Sequence, residues 1–312
     1  MFKQVNKKTI VNWSKALLLA LLLLFFIRGL LFDLFVVPSP SMEKTLLPGD
    51  FVIVNKLGAT NVDRNDILVF DHFNKENSKN EGDQFIKRCI GLPGDSLRIV
   101  DSKIYINGKL IPESENIQHN YTLQTNAQGI DSTTKEELGI TEGGLISDEG
   151  EYSFSLTNQN AEKFSKLKQV KSITANTENA GLWDETIFPH NEHYLWNADQ
   201  FGSIYIPKRG DTLTLDSLSI YFYEGIIKNY EGNKLELLEN NKIVINGDTT
   251  NKYVSKMNYY FVMGDNRHNS IDSRHWGFLP EDHIIGKVSR VFYSYDKRKN
   301  KTRWGRCFKS IR

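Results

Sequence analysis

Residues 84–100, QFIKRCIGLPGDSLRIV, contain two short apolar runs separated by a turn. The turn is the tetrapeptide 92–95, Leu-Pro-Gly-Asp, because Pro and Gly favour tight turns. Both runs are rich in β-branched and other apolar side chains, which is typical of β-strands. Similar runs lie along the chain at 51–57, 66–70, 103–108, 259–265 and 284–296. The sequence therefore predicts a mainly β fold.

The composition describes a folded protein without a nucleic-acid partner. Its 312 residues exceed the usual size of one domain and suggest two packed units. The 39 Lys and Arg balance the 38 Asp and Glu to a net charge of +1, so no basic excess favours DNA or RNA. Two Cys cannot form a disulfide framework, and their spacing is not that of a zinc site. We expect neither a metal nor a cofactor.

An apolar run lies near the N-terminus, at 16–32, and Arg28 is the only charge within it. A helix of that length spans about 25 Å, close to the hydrocarbon thickness of a bilayer when flanking residues reach the headgroups. We expect a transmembrane anchor over 16–34. A cleaved signal peptide and a buried helix of a soluble domain are the rival interpretations.

The charges that flank this run predict its orientation. Residues 1–15 contain four Lys and no acid, whereas Asp33 and Glu43 follow the run. By the positive-inside rule, 1–15 lie in the cytoplasm and the rest of the chain lies outside. The basic segment 284–312, with ten Lys or Arg and one Asp, then either meets anionic lipid headgroups or carries solvated charges.

The middle of the chain, 111–254, is more polar than its flanks. Residues 111–180 hold 11 Asp or Glu against 5 Lys or Arg. A helix is expected around 217–229, and a hairpin around 242–248 with its turn at Asn246-Gly247. We interpret 111–254 as an inserted α+β subdomain, so that 35–110 and 255–312 form one β domain.

Three separated segments carry residues typical of one enzyme family: VVPSPSMEKTLLPGD at 36–50, QFIKRCIGLPGD at 84–95 and FVMGDNRHNSIDSRHWGFLP at 261–280. With the N-terminal anchor they resemble, in order and content, the type I signal peptidases, the Ser/Lys leader peptidase family. The resemblance covers roughly 16–108 and 255–312 and implies an antiparallel β catalytic domain. The middle block resembles the insertion of the longer family members.

The chemistry of the residues supports a Ser/Lys pair independently. A serine hydroxyl is a weak nucleophile, and a lysine amine can activate it only when burial keeps the amine neutral. In a strand, Lys87 shares its face with Phe85 and Cys89, so its ammonium group should be poorly solvated. A pKa near 10.4 leaves about one amine in 10³ neutral at pH 7, whereas a pKa of ~7 to 8 leaves roughly 10 to 50% neutral.

The resemblance assigns the catalytic roles. Ser41 is the nucleophile, and Lys87 is the general base that later protonates the leaving amine. The backbone N–H of Ser41 and the hydroxyl of Ser39 stabilise the tetrahedral oxyanion.

The resemblance assigns supporting roles to the loop 264–274. Ser270 would donate or accept a hydrogen bond that orients the catalytic lysine, and Asp272 and Arg274 would form an ion pair that buttresses the site. His268 stands where the family often has Asp, and a Ser-His-Asp triad through His268 is a rival interpretation.

Two residues depart from the family pattern. Pro40 replaces the Gly usually found between the two serines, so the loop geometry survives only if that position is neither left-handed nor a donor. Lys44 replaces a Pro, which we expect to loosen the loop. His190 and His193 form an HxxH pattern, but no third ligand accompanies them, so zinc is disfavoured.

The resemblance implies a membrane-bound serine endopeptidase that removes signal peptides from exported preproteins after small-x-small sites such as Ala-x-Ala. Preproteins and membrane lipids are the expected partners, with the translocation machinery as a further candidate. The expected location is the bacterial cytoplasmic (inner) membrane, single-pass, with the catalytic domain on the outer, periplasmic side. The walls of the substrate pockets would be Phe35, Val37, Pro38, Met42, Leu46, Phe85 and Ile86.

Other interpretations fit parts of the sequence. A self-cleaving Ser/Lys protease of the repressor type shares the dyad but lacks a transmembrane anchor. An inactive, membrane-tethered β-rich binding protein could retain the motifs as scaffold. Cys89 and Cys307 are either two buried thiols or a disulfide.

Overall fold

The structure, a computed structural model, describes residues 7–72, 83–126, 129–238 and 242–311. The predicted mainly β, antiparallel fold is confirmed, since neighbouring strands of the sheets pair antiparallel. The helices of the described residues are α1 (Lys7–Leu31), α2 (Ser132–Glu137), α3 (Asn158–Ser165), α4 (Ile220–Gly225) and α5 (Ser273–Trp276).

The strands follow the apolar runs of the sequence closely outside the middle block. The first eleven are β1 (Phe32–Val36), β2 (Asp50–Asn55), β3 (Ile67–His72), β4 (Asp83–Gly91), β5 (Ser96–Val100), β6 (Lys103–Ile106), β7 (Lys109–Leu110), β8 (Gln118–Thr125), β9 (Gly143–Ser147), β10 (Glu151–Thr157) and β11 (Val170–Ala175). The others are β12 (Phe201–Tyr205), β13 (Thr212–Thr214), β14 (Leu235–Leu237), β15 (Ile243–Ile245), β16 (Asp248–Thr249), β17 (Lys252–Val254), β18 (Tyr259–Met263), β19 (Leu279–Pro280), β20 (Ile284–Asp296) and β21 (Lys301–Thr302).

One large sheet carries all three of the sequence segments that resemble the peptidase motifs. Its strand order is β1-β2-β20-β3-β4-β18-β19, and β21 pairs with β20. The Ser41 segment follows β1, Lys87 lies on β4, and Gly264 follows β18. Val262 of β18 is in register with Cys89 of β4, so segments far apart in the sequence meet at adjacent strands.

Alternation along β3 divides the apolar core between the two faces of this sheet. Ile67 and Val69 pack on one face, and Leu68 and Phe70 pack on the other. The first face also buries Val37, Met42, Leu46, Val52, Val54, Ile86, Val288 and Val291. Because a slip of one residue would exchange the two faces, burial on both sides fixes the register of the strands beside the site.

Helix α1 does not have the bounds predicted for the anchor at 16–34. It begins at Lys7, and residues 32–36 leave the helix to pair with β2 as an edge strand. The helix ends at Leu31, and the following residues hydrogen-bond to β2. Across the ranges that the structure describes, no helix has both the length and the apolar character needed to cross a membrane, and the predicted span is not confirmed.

The middle block, 111–254, has two parts that pack differently. Strands β8 to β11 form a sheet of order β11-β8-β10-β9 whose core includes Phe154 and Phe164. Later residues join another core, because β12 pairs with β5 and Ile204 packs in the same cluster as Leu97. The later part of the block therefore shares its core with the preceding strands, while the proposed division into domains stays a prediction.

Two local predictions in this block coincide with secondary structure. Helix α4 continues into a π-helical turn at Ile226–Tyr230, and together they overlap the expected helical region 217–229 and end one residue beyond it. Strands β15 and β16 form a hairpin, and the turn residues Asn246 and Gly247 have φ values of 53° and 95°. Asn-Gly suits this turn because both positions require positive φ.

The core assignment of Leu46 predicts a large loss of stability on truncation. Leu46 is 0% exposed, so Leu46→Ala should lower the free energy of unfolding by about 2–5 kcal/mol through lost burial and the cavity left behind. Leu57, which is 66% exposed, supplies the control, and Leu57→Ala should change the free energy by less than ~0.5 kcal/mol. Urea unfolding of the full chain measures both. A Leu46→Ala effect as small as the control would contradict the assignment.

Candidate active site

The segment that carries Ser41 makes a single tight turn after β1. Ser39 is extended, with φ −126° and ψ 161°, and a 3₁₀ turn follows at Pro40–Met42. The N–H of Glu43 donates to the carbonyl of Pro40 at 2.9 Å. Proline suits the first position of such a turn, because its fixed φ fits there and no N–H is needed. The departure at Pro40 is therefore compatible with the loop.

Lys87 and Ser41 lie in direct contact. Lys87 Nζ is 2.8 Å from Ser41 Oγ, and the two residues are only 5% and 8% exposed. The amine lies 5.4 Å from the centre of the Phe85 ring, which shares its face of β4. Ser39 Oγ lies 3.3 Å from Ser41 Oγ, so a second hydroxyl lies next to the Ser41 hydroxyl.

The environment of Lys87 favours its neutral form. Burial lowers the pKa of Lys87 to about 8, and the positive charge of Arg274 acts in the same direction. The negative charges of Asp272 and Asp265 oppose this shift without cancelling it. An amine with this pKa is neutral in a substantial fraction of molecules near neutral pH, so it can accept a proton.

Asp272 and Arg274 form a buried ion pair next to the site. Arg274 Nε lies 3.0 Å from Asp272 Oδ1, and Nη2 lies 2.9 Å from Oδ2. The N–H of Gly264 donates to Asp272 Oδ2 at 3.0 Å, which connects the pair to the end of β18. Burial alone would raise the pKa of Asp272, but the charge and hydrogen bonds of Arg274 outweigh it and lower that pKa to about 2.

Ser270 does not make the contact expected from the resemblance. Its Oγ is buried and has no hydrogen-bond partner among the described residues, whereas Lys87 Nζ bonds to Ser41. Ser270 packs tightly against Gly264, where an added Cβ would lie 2.2 Å from Ser270 Oγ and 2.6 Å from Ser41 O. The predicted hydrogen bond between Ser270 and Lys87 is therefore absent, and the amine of Lys87 bonds to Ser41 instead.

Sequence reasoning missed a second buried ion pair. Arg88 Nε lies 2.7 Å from Asp265 Oδ1, and Nη2 lies 2.6 Å from Oδ2, while Thr45 Oγ1 also donates to this carboxylate. Asp265 thus holds the strand of Lys87 and the loop after Ser41 together. Both residues lie inside the recognised motifs, Arg88 directly after Lys87 and Asp265 directly after Gly264. Their pairing depends on the register of β4 and β18, which the sequence does not give.

Both ring nitrogens of His268 have hydrogen-bond partners other than Ser41. The N–H of Asn120 donates to Nδ1 at 3.2 Å, and Nε2 lies 3.0 Å from Asp199 Oδ1. Because Nδ1 accepts a hydrogen bond, the proton lies on Nε2 and is directed to Asp199. The Ser-His-Asp alternative is not supported by this arrangement.

A cavity of about 570 Å³ opens beside Ser41 and Lys87. Five of the predicted wall residues line it, and Phe35 lines an adjoining cavity of about 390 Å³. The five are Val37, Pro38, Met42, Phe85 and Ile86. The prediction that Leu46 forms a pocket wall is wrong, because Leu46 is fully buried in the core and presents no surface to a ligand.

The cysteines and the HxxH pattern lie outside this chemistry. Cys89 and Cys307 are free thiols, so the disulfide alternative is wrong, and burial raises the pKa of Cys89. His190 Nδ1 contacts the Glu185 carbonyl, and His193 is exposed. Within the described ranges, no group of three or more His, Cys, Asp or Glu is placed to hold a metal.

Comparison with known proteins identifies the family. The family model described as signal peptidase, peptidase S26 matches residues 10–178 and 207–293. A signal peptidase I from Buchnera aphidicola subsp. Schizaphis graminum is 31% identical over 98% of this chain and 82% of its own. One from Aquifex aeolicus is 27% identical over 89% of this chain and 82% of its own. The chain belongs to the peptidase S26 family of signal peptidases.

A solved signal peptidase I from Enterococcus faecalis also aligns with the chain. Its identity is 20% and its TM-score 0.26, over 73% of this chain and 97% of that structure. So loose a superposition supports nothing about the fold.

The buried Arg88–Asp265 pair predicts a stability cost that exposed pairs lack. Asp265→Asn leaves a buried guanidinium uncompensated, so it should lower the free energy of unfolding by about 3–5 kcal/mol. Glu224→Gln, which breaks a half-exposed pair with Lys228, is the control and should cost less than ~1 kcal/mol. Urea titration of both variants decides the matter, and equal small losses would count against the structural role of Asp265.

Proposed function

We propose that this chain is a serine endopeptidase that removes signal peptides from exported preproteins, with Ser41 as nucleophile and Lys87 as general base. The observation that carries the residue assignment is the 2.8 Å separation of Lys87 Nζ and Ser41 Oγ inside a nearly buried site. Family membership supports the reaction, and the lowered pKa of Lys87 supports the role of its amine.

The reaction begins with a proton transfer from Ser41 Oγ to the neutral amine of Lys87. The alkoxide attacks the scissile carbonyl carbon to form a tetrahedral intermediate. The C–N bond then breaks, the ammonium of Lys87 gives its proton to the leaving amine, and an acyl-enzyme remains. A water molecule gives a proton to Lys87 and attacks the ester carbonyl carbon. The C–O bond to Ser41 then breaks, Lys87 returns that proton to Ser41 Oγ, and the signal peptide leaves with a new C-terminal carboxyl group.

Ser39 is the side-chain donor for the oxyanion. Its hydroxyl lies 3.3 Å from Ser41 Oγ and can rotate toward an oxygen on the attacked carbon. The backbone N–H of Ser41 is the second donor in this proposal. Both groups lie on one short loop, so they are already placed before substrate arrives.

The substrate adds to β4 as an extended strand. β18 pairs with β4 only from Arg88 to Gly91, so among the described residues the edge of 83–87 facing away from β3 is left unpaired. An extended peptide can satisfy these backbone groups and bring its scissile bond to Ser41. Gln84 and Ile86 line the cavity on this edge.

The pocket walls select small side chains. Val37, Met42 and Ile86 border the cavity but are only 2%, 1% and 6% exposed, so they leave shallow depressions. Larger side chains would clash with these packed walls, whereas Ala-like side chains would fit. This shape supports the proposed cleavage after small-x-small sequences.

Helix α1 attaches the enzyme to the bacterial cytoplasmic membrane. Its apolar side chains are more than half exposed at Leu17, Leu18, Leu19, Leu21, Leu22 and Leu23, which is unfavourable in water and favourable in lipid. Although no helix of the described residues meets the requirements for a span, this proposal takes the apolar run 16–32 of the sequence to pass the membrane once, with residues 1–15 cytoplasmic and the catalytic domain on the outer, periplasmic side. The apolar helix of the signal peptide then ends near Ser41. Contact with the translocation machinery stays a prediction.

Two substitutions at the dyad test the proposed function. Ser41→Ala and Lys87→Arg should each abolish cleavage of a defined preprotein, because alanine removes the nucleophile and a guanidinium cannot become neutral. Lys103→Arg, at an exposed position on β6, is the control and should cleave at the parental rate.

The outcomes separate the alternatives. An active Lys87→Arg variant would exclude Lys87 as the base. If the parent protein itself cleaves no preprotein, the inactive binding-protein interpretation replaces the enzyme.

A further inference from the structure

Residues 139–142, which precede β9 in the inserted region, contact both loops of the candidate active site. We call these four residues the clasp. On one side they meet the segment after Ser41, and on the other side they meet the loop that follows β18. The clasp is far from both loops in sequence, so folding alone brings the three together.

The first side of the clasp holds the segment 43–44. Lys44 Nζ donates to the carbonyl of Gly139, and Thr141 Oγ1 donates to Glu43 Oε1. Lys44 has a φ of 70°, a left-handed conformation that a proline cannot adopt and that a lysine adopts rarely. Lys44 stands where the family usually has Pro, and its side chain contacts the clasp. This contact ties the loop down where we expected it to be loosened.

The second side holds Asn266 and Asn269 through one carboxylate. Glu142 Oε2 lies 2.6 Å from Asn266 Nδ2 and 2.8 Å from Asn269 Nδ2. Hydrogen bonds to an ionised acceptor are shorter and stronger than neutral ones. The two asparagines flank the turn that leads to Ser270, so Glu142 fixes this turn from outside.

Asn266 passes this constraint on to the nucleophile. Its backbone N–H donates to the carbonyl of Ser41 at 3.0 Å, and its Nδ2 lies 3.4 Å from the carbonyl of Pro40. Its Oδ1 is buried without a hydrogen-bond partner among the described residues, so the side-chain orientation depends on Nδ2. Nδ2 has two acceptors, the Pro40 carbonyl and the Glu142 carboxylate, and the carboxylate is the closer one.

We propose that Glu142 is a positioning residue for the reaction, acting through Asn266 on the backbone of Ser41, and that the inserted region serves catalysis through the clasp. The proposal rests on the proposed function, since it takes Ser41 as the nucleophile. Glu142 touches neither the dyad nor the reacting atoms. Its effect is to hold the Ser41 loop at the distance from Lys87 that proton transfer requires.

Glu142→Ala tests the proposal in the full chain with a defined preprotein. Its kcat should fall about 10- to 100-fold, because a displaced nucleophile loses reactive geometry, while KM should stay within about twofold. Glu142→Gln keeps the acceptor oxygen and should recover most of the loss. The control is Glu149→Ala, an exposed acid of the same inserted region, which should have the parental kcat.

Two further measurements keep the test decisive. In a Ser41→Ala background, adding Glu142→Ala should leave the affinity for uncleaved preprotein unchanged, as a positioning role requires. Thr141→Val removes the bond to Glu43 at similar volume and should lower kcat about 3- to 10-fold, and it serves if Glu142→Ala does not fold.

Several results would overturn the inference. A kcat of Glu142→Ala within twofold of the parent would do so, as would a loss confined to KM or a weakened affinity in the Ser41→Ala background. A Glu142→Gln variant no better than the alanine variant would also count against it. If Ser41→Ala still cleaves, the proposed function fails instead, which separates the two failures.

Discussion

A single lysine amine, removed from water and held against a serine hydroxyl, is the constraint on which the rest of the site depends. Burial lowers the pKa of Lys87, yet two carboxylates, Asp265 and Asp272, lie close enough to raise it. Each carboxylate is bound by its own arginine, Arg88 and Arg274 respectively. The charge of Arg274 opposes that of Asp272 at the amine, and desolvation is the largest effect on the pKa of Lys87, so burial decides its protonation state.

The two ion pairs also have a mechanical role. Asp265 connects β4 to the loop after Ser41 through Thr45, and Asp272 connects the start of α5 to the end of β18 through Gly264. These contacts hold three distant segments at one point of the large sheet. A buried ion pair adds little net stability, because both charges lose their hydration. Separating the pair leaves an uncompensated charge in the core, so conformations that keep both partners together are strongly favoured.

The sequence predicted best where the information is local. β20 has the predicted bounds because a long apolar and aromatic run, Ile284–Asp296, is a strand whatever it pairs with. The dyad of Ser41 and Lys87 came from motifs in fixed order, and the structure places these residues in contact. The order of motifs along the chain predicts which segments form the site, but it does not predict the contacts between them.

Contacts that depend on register or on the inserted region escaped the sequence. Leu46 looks like a pocket wall in a motif list, yet its strand neighbours bury it completely. Ser270 lies buried without a hydrogen bond to Lys87, and motif order alone gives no side-chain orientation. The contacts of Glu142 span more than 120 residues along the chain, and no local pattern could reveal them.

The most direct test of this account is the pKa of Lys87 itself. The ¹⁵Nζ resonance of Lys87, assigned by its absence in Lys87→Arg, can be followed through a pH titration of the full chain. We predict a midpoint of about 8, with the amine charged below it and neutral above it. A midpoint near the ordinary lysine value of 10.5 would contradict the claim that burial prepares this amine to act as a base.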